Sequence, residues 1–84
     1  MKSHLVIRNV VVRGRRTGVR LEPAMWDALQ EIVSLQGRTV NQLVTEIDRH
    51  RREASLTSAI RVYIVEFYRA AAHSRPKDRA RSIA

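Results

Sequence analysis

The chain has 84 residues, no cysteine and three widely separated histidines (His4, His50, His73), which excludes a disulfide framework and leaves no spaced ligand set for zinc. An apolar fraction of 44% fits a folded domain, and no apolar run approaches the ~18 residues needed to cross a bilayer. Sixteen Lys and Arg against eight Asp and Glu give a formal net charge of +8, and fourteen of the sixteen are arginine, a balance that points to a polyanionic partner.

A chain this short buries little apolar surface. With neither disulfide nor metal to help, oligomerisation is the expected support. The N-terminus has one basic residue and a short apolar stretch broken at Arg8, which does not read as a secretory signal, so a cytoplasmic location is expected. The charge is also unevenly placed. Residues 1–23 carry Lys2, Arg8, Arg13, Arg15, Arg16 and Arg20 against Glu22 alone, whereas 24–36 hold Asp27 and Glu31 and no cation.

Residues 5–13 are rich in β-branched side chains and predict a strand, and Gly14 marks a turn within 13–16. Residues 17–22 alternate with period two, setting Thr17, Val19 and Leu21 on one face and Gly18, Arg20 and Glu22, with the preceding Arg16, on the other. Pro23 ends that strand and suits the first position of a helix. The helix carries Met25, Leu29, Ile32 and Val33 on one side, with Trp26 flanking, and stops at Gly37.

Thr39 with Gln42 three residues later forms a capping-box pattern for a second helix, whose apolar stripe is Val40, Leu43, Val44 and Ile47. Arg49, Arg51 and Arg52 lie at its end, where cations complement the helix dipole. Ser55 caps a third helix expected from Leu56 to about His73. At helical spacing Tyr63 and Phe67 read as packing residues rather than a stacking platform. Residues 74–84 are basic and poor in apolar side chains and read as a flexible tail, giving a domain at 1–73 and a tail at 74–84.

A short strand with arginines on one face has exposed edges and is not stable alone. Antiparallel pairing with a second copy would join the edges and present Arg16, Gly18 and Arg20 twice. A two-stranded ribbon of this kind fits the major groove, where arginine can bind guanine O6 and N7 together. The first turn of the second helix offers a phosphate anchor beside it.

The stretch from Thr17 through Leu21, Glu22 and Pro23 to Gly37, Arg38, Thr39, Val40 and Asn41 resembles the ribbon-helix-helix DNA-binding proteins of the Arc and MetJ type, over residues 16–52. With Val44–Asp48 and Leu56–Ile64 the likeness to a subgroup of small bacterial ribbon-helix-helix proteins extends over about 6–70. The resemblance implies an α+β, mostly α fold: a ribbon-helix-helix with an extra N-terminal strand and a third C-terminal helix, assembled as an intertwined homodimer. It places base contacts at Arg16, Gly18 and Arg20, and phosphate contacts at Arg38, Thr39 and Val40 with Arg15 beside them. It places the dimer core at Val19, Leu21, Trp26, Leu29, Leu43 and Ile47.

Two departures stand out. Gly18 leaves the central reading position without a side chain. Strand 5–13 is additional, and paired as a hairpin it would make a four-stranded sheet in the dimer. It would then reach along the DNA, cover the ribbon edge or mediate higher assembly on DNA. The implied partner is double-stranded DNA, with no membrane, cofactor or small molecule, and the implied role is a sequence-specific transcriptional repressor. No nucleophile motif, Gly-rich phosphate loop or metal cluster points to an enzyme. A DNA-binding antitoxin or accessory factor, and a protein-interaction module with incidental charge, are the alternatives.

Overall fold

The computed structural model describes the backbone of residues 4–83 and the side chains of residues 4–74. Two strands precede three helices: β1 (Val6–Val12), β2 (Arg15–Leu21), α1 (Pro23–Gln36), α2 (Val40–His50) and α3 (Leu56–Ile83). The strands form one antiparallel hairpin, with Val6 opposite Leu21 and Val12 opposite Arg15. The additional strand therefore pairs within its own chain.

Arg13 (φ 54°) and Gly14 (φ 79°) make the connection. Positive φ at both central residues is the pattern of a type I′ turn, whose twist matches that of the strands it joins. Gly14 adopts it freely, and Arg13 is held there with its Nε 3.3 Å from Asp48. The two-residue turn lets β2 start at Arg15, two residues before the alternation in the sequence becomes visible.

Period-two geometry then sorts the side chains. Val10, Val12, Val19 and Leu21 are buried on the inner face, while Ile7, Asn9, Val11, Arg16, Gly18 and Arg20 are exposed on the outer one. Beneath the hairpin lie Trp26, Leu29, Ile32 and Val33 of α1, Leu43, Val44 and Ile47 of α2, and Ile60 and Ile64 of α3. The six residues expected in a dimer core, Val19, Leu21, Trp26, Leu29, Leu43 and Ile47, are thus already buried inside one chain. β1 packs across α2, and α3 packs on both other helices, which gives this core its cover.

The helix boundaries follow local chemistry. Pro23 opens α1, and Gly37 in the left-handed region (φ 69°) closes it, with the Arg38 amide donating to the Val33 carbonyl at 3.0 Å. Thr39 caps α2 through a complete capping box. Ser55 caps α3, its Oγ accepting from the Ser58 amide at 3.1 Å. The backbone of α3 continues to Ile83, ten residues past the expected end at His73, without a break at the expected boundary between domain and tail. Arg, Lys and Ala are good helix formers, so a segment poor in apolar residues can still be helical. Most side chains of the expected tail lie outside the described ones.

The two edges of the hairpin differ. A two-residue turn makes its flanking pair hydrogen-bonded, so the backbone groups of Ile7, Asn9 and Val11 point away from β2, and those of Arg16, Gly18 and Arg20 point away from β1. On the β1 side, the Val11 amide donates to Asn41 Oδ1 at 3.0 Å, and the Val11 carbonyl accepts from Thr45 Oγ1 at 3.4 Å. Trp26 Nε1 donates to the Val6 carbonyl at 2.9 Å, and the Arg8 guanidinium lies 5.3 Å from the Trp26 ring centroid. Helical side chains thus hold β1, and among the described residues no group bonds the outer edge of β2. Asn41→Ala is expected to cost about 1 kcal/mol and to speed amide exchange at Val11 selectively. Unchanged exchange at Val11 would show that α2 does not seal this edge.

Tyr63 and Phe67 pack against the core, while Tyr68 is exposed and donates its hydroxyl to the Glu31 carboxylate. That hydrogen bond, followed by desolvation and the Glu31 charge, pushes the Tyr68 phenol up to about 12. The folded value lies above the unfolded one, so the contact stabilises below about pH 10 and is lost as pH rises through about 12. Ultraviolet titration of Glu31→Gln should show one tyrosine ionising at lower pH than in the wild type. Superimposable titrations would contradict the Tyr68–Glu31 contact.

Candidate nucleic-acid interface

The outer face of the hairpin consists of three cross-strand rows: Val11 with Arg16, Asn9 with Gly18, and Ile7 with Arg20. Arg16 and Arg20 stand four residues apart on one strand, about 13 Å at the usual rise. Both lie on the solvent side, with Gly18 between them.

Charge pairing separates these two arginines from several others. Among the described residues the ion pairs join Arg13 and Arg51 to Asp48, Arg38 to Glu46, and Arg61 to Glu22. Arg15, Arg16 and Arg20 are in none of them. Their charge is uncompensated by any described carboxylate and is available to an external anion.

The expected phosphate-contacting residues are less uniform. Arg15 is exposed but belongs to the opposite side of the strand from Arg16, at the turn end of the hairpin. Arg38 is engaged internally: its Nε donates to Gln36 Oε1 at 2.7 Å and its Nη1 bonds Glu46. That hydrogen bond to Glu46, opposed by desolvation, raises the Arg38 pKa, and the same bond holds the Glu46 carboxyl below its ordinary range.

Thr39 is engaged as well. Its amide donates to Gln42 Oε1 at 2.9 Å, and its Oγ1 accepts from the Gln42 amide at 3.1 Å. The capping box leaves the first-turn amides of Val40 and Asn41, at the positive end of the helix dipole, without a partner among the described residues. The Asn41–Val11 hydrogen bond places this turn directly beside β1. The structure therefore brings Arg16, Gly18 and Arg20 together on one face, with the Val40 end of α2 at its flank. Sequence reasoning misses Asn41 as a positioning residue. A lone Asn in a first helical turn gives no signal of a contact thirty residues away.

No group of three or more His, Asp or Glu among the described residues is arranged to hold a metal ion, and no described helix is long and apolar enough to cross a membrane.

The ribbon-helix-helix domain model matches residues 5–68, which takes in the hairpin, α1, α2 and the first half of α3. Among solved structures, an uncharacterized protein from Bordetella pertussis Tohama I is similar, with a TM-score of 0.71 and 30% sequence identity over 84% of this chain. The likeness spans 61% of that protein's length. No curated protein matches. A strand followed by two capped helices, matched over most of the chain by one family model, places it in the ribbon-helix-helix domain family.

Proposed function

We propose that this protein is a non-enzymatic, sequence-specific DNA-binding regulator that acts as a homodimer in the cytoplasm and represses transcription by occupying the major groove at its operator. The observation that carries this reading is the pair of unpaired arginines, Arg16 and Arg20, on the exposed face of a β-ribbon flanked by free helix N-terminal amides. Arginine on a ribbon face can bind guanine O6 and N7 together, and the Val40 and Asn41 amides suit an adjacent phosphate.

Proteins of this family generally bind DNA as dimers. The open edge of β2 is the place for a second copy to add, because the β1 edge is occupied at Val11. Pairing there gives the order β1-β2-β2-β1, with both sets of Arg16, Gly18 and Arg20 on the central strands. At about 4.8 Å per strand, the central pair occupies about 10 Å and fits the ~12 Å major groove, whereas all four strands occupy about 19 Å and do not. The central pair would face the bases, and the outer strands would meet the groove walls. Each α2 N-terminus would then stand over a phosphate strand.

Binding to a duplex pool near physiological salt tests base reading. Arg20→Ala should lose roughly 1–3 kcal/mol per half-site on the preferred duplex and far less on random sequence. Arg15→Ala should weaken all duplexes alike and shallow the salt dependence by about one counterion. If both changes act equally on specific and random DNA, the ribbon does not read bases.

Sedimentation tests the assembly. Gly18→Pro deletes an amide on the open β2 edge and none from the hairpin's own ladder, so it should weaken the dimer while leaving the helical circular dichroism intact. A wild-type monomer at all accessible concentrations, with or without DNA, would remove the dimer.

A further inference from the structure

Gly18 occupies the middle of the outer face, between Arg16 and Arg20, and has no side chain to offer there. Its backbone conformation does not require glycine. Gly18 is not among the residues with positive φ, and a Cβ built on it would meet only Asn9 Oδ1 and Ile7 Cγ2, both at 3.7 Å, an ordinary van der Waals distance. Neither strain nor crowding within the chain explains the missing side chain.

The register shows what lies over the gap. Asn9 of β1 is directly opposite Gly18, on the same exposed face. The hairpin's hydrogen-bonding pattern makes this a non-hydrogen-bonded pair, the closer of the two antiparallel spacings, about 4.5 Å between Cα atoms. Asn9 Oδ1 reaches to within 3.7 Å of the place where a residue-18 Cβ would sit, so the amide leans across onto β2. Asn41 spends its side-chain oxygen on the Val11 amide, but the Asn9 amide has no hydrogen-bond partner among the described residues. It is exposed, uncommitted and centred between two unpaired arginines.

We infer that Asn9 is a base-reading residue: it supplies from the first strand the central side chain that Gly18 lacks, and its carboxamide selects adenine between the guanines taken by Arg16 and Arg20. This rests on the ribbon reading above. An asparagine amide matches the adenine N6–H donor and N7 acceptor as a bidentate pair, as the guanidinium matches guanine O6 and N7. The exposed methyl groups of Ile7 and Val11 lie in the two adjoining rows of the same face. One chain therefore reads its half-site with both strands of the hairpin. Because the Asn9 amide leans over β2, it stays with the central strands when a second copy adds to the β2 edge.

The test is selection of bound fragments from a random duplex pool with four proteins: wild type, Asn9→Ala, Arg20→Ala, and the double change Asn9→Ala with Gly18→Asn. The wild type should enrich a half-site with an A·T pair between two guanine positions. Asn9→Ala should keep the guanines and lose roughly tenfold or more of the preference for A·T at the middle position. The double change moves the amide to β2, where a side chain fits, and should restore that preference. A motif unchanged by Asn9→Ala would overturn the role of Asn9 while leaving the ribbon reading intact. Absence of any enriched motif in the wild type, or a motif indifferent to Arg20→Ala, would overturn the ribbon reading and this inference with it.

Discussion

The pairing of β1 with β2 is the constraint on which the rest of this structure depends. A two-residue turn at Arg13 and Gly14 sets the register, and the period of two then decides which face every strand residue shows. A slip of one residue would carry Val10 and Val12 into solvent and Asn9 and Val11 into the core. The register is therefore enforced from below by Val19, Leu21 and the three helices, and from the side by Asn41 and Thr45 on Val11. The same pairing closes the core within one chain. The inner face of the hairpin and the first half of α3 cover what a lone strand and two helices would leave exposed.

Charge follows the same division of labour. Arg13 at the turn, Arg38 at the α1–α2 junction, Arg51 at the end of α2 and Arg61 on α3 each have a carboxylate within 3.3 Å, at Asp48, Glu46 or Glu22, whereas Arg49, Arg52 and Arg69 are in none of these pairs. Partly exposed pairs of this kind contribute little to stability one by one, but each neutralises the charge of its own arginine. The outer face of the hairpin holds no acid. Field lines from Arg16 and Arg20 are thus directed outward from a twisted ribbon, as the polyanionic partner proposed above would require.

The helices are legible because their signals are local: Pro23 and Gly37 bound α1, Thr39 with Gln42 opens α2, and Ser55 opens α3. The second strand is legible from Thr17 onward through its alternation. Its first two residues are not, because Arg15 and Arg16 look like loop until the turn is known to need only Arg13 and Gly14. The end of α3 escapes a composition-based reading for a related reason. Low apolar content says that a segment has nothing to bury, and it does not say that its backbone leaves the helix.

What the sequence by itself determined is the set of elements, the two faces of β2 and the basic character of the hairpin, since each rests on residue type and spacing within about ten positions. Tertiary structure alone decided the partners across distance. It showed that the extra strand pairs within its own chain, that Asn41 and Thr45 hold its Val11, that Arg38 is held internally by Glu46, and that Asn9 lies over Gly18. The physical reason is that strand register and side-chain pairing are set by how the whole core packs, and a local pattern carries no record of which distant residue will meet it.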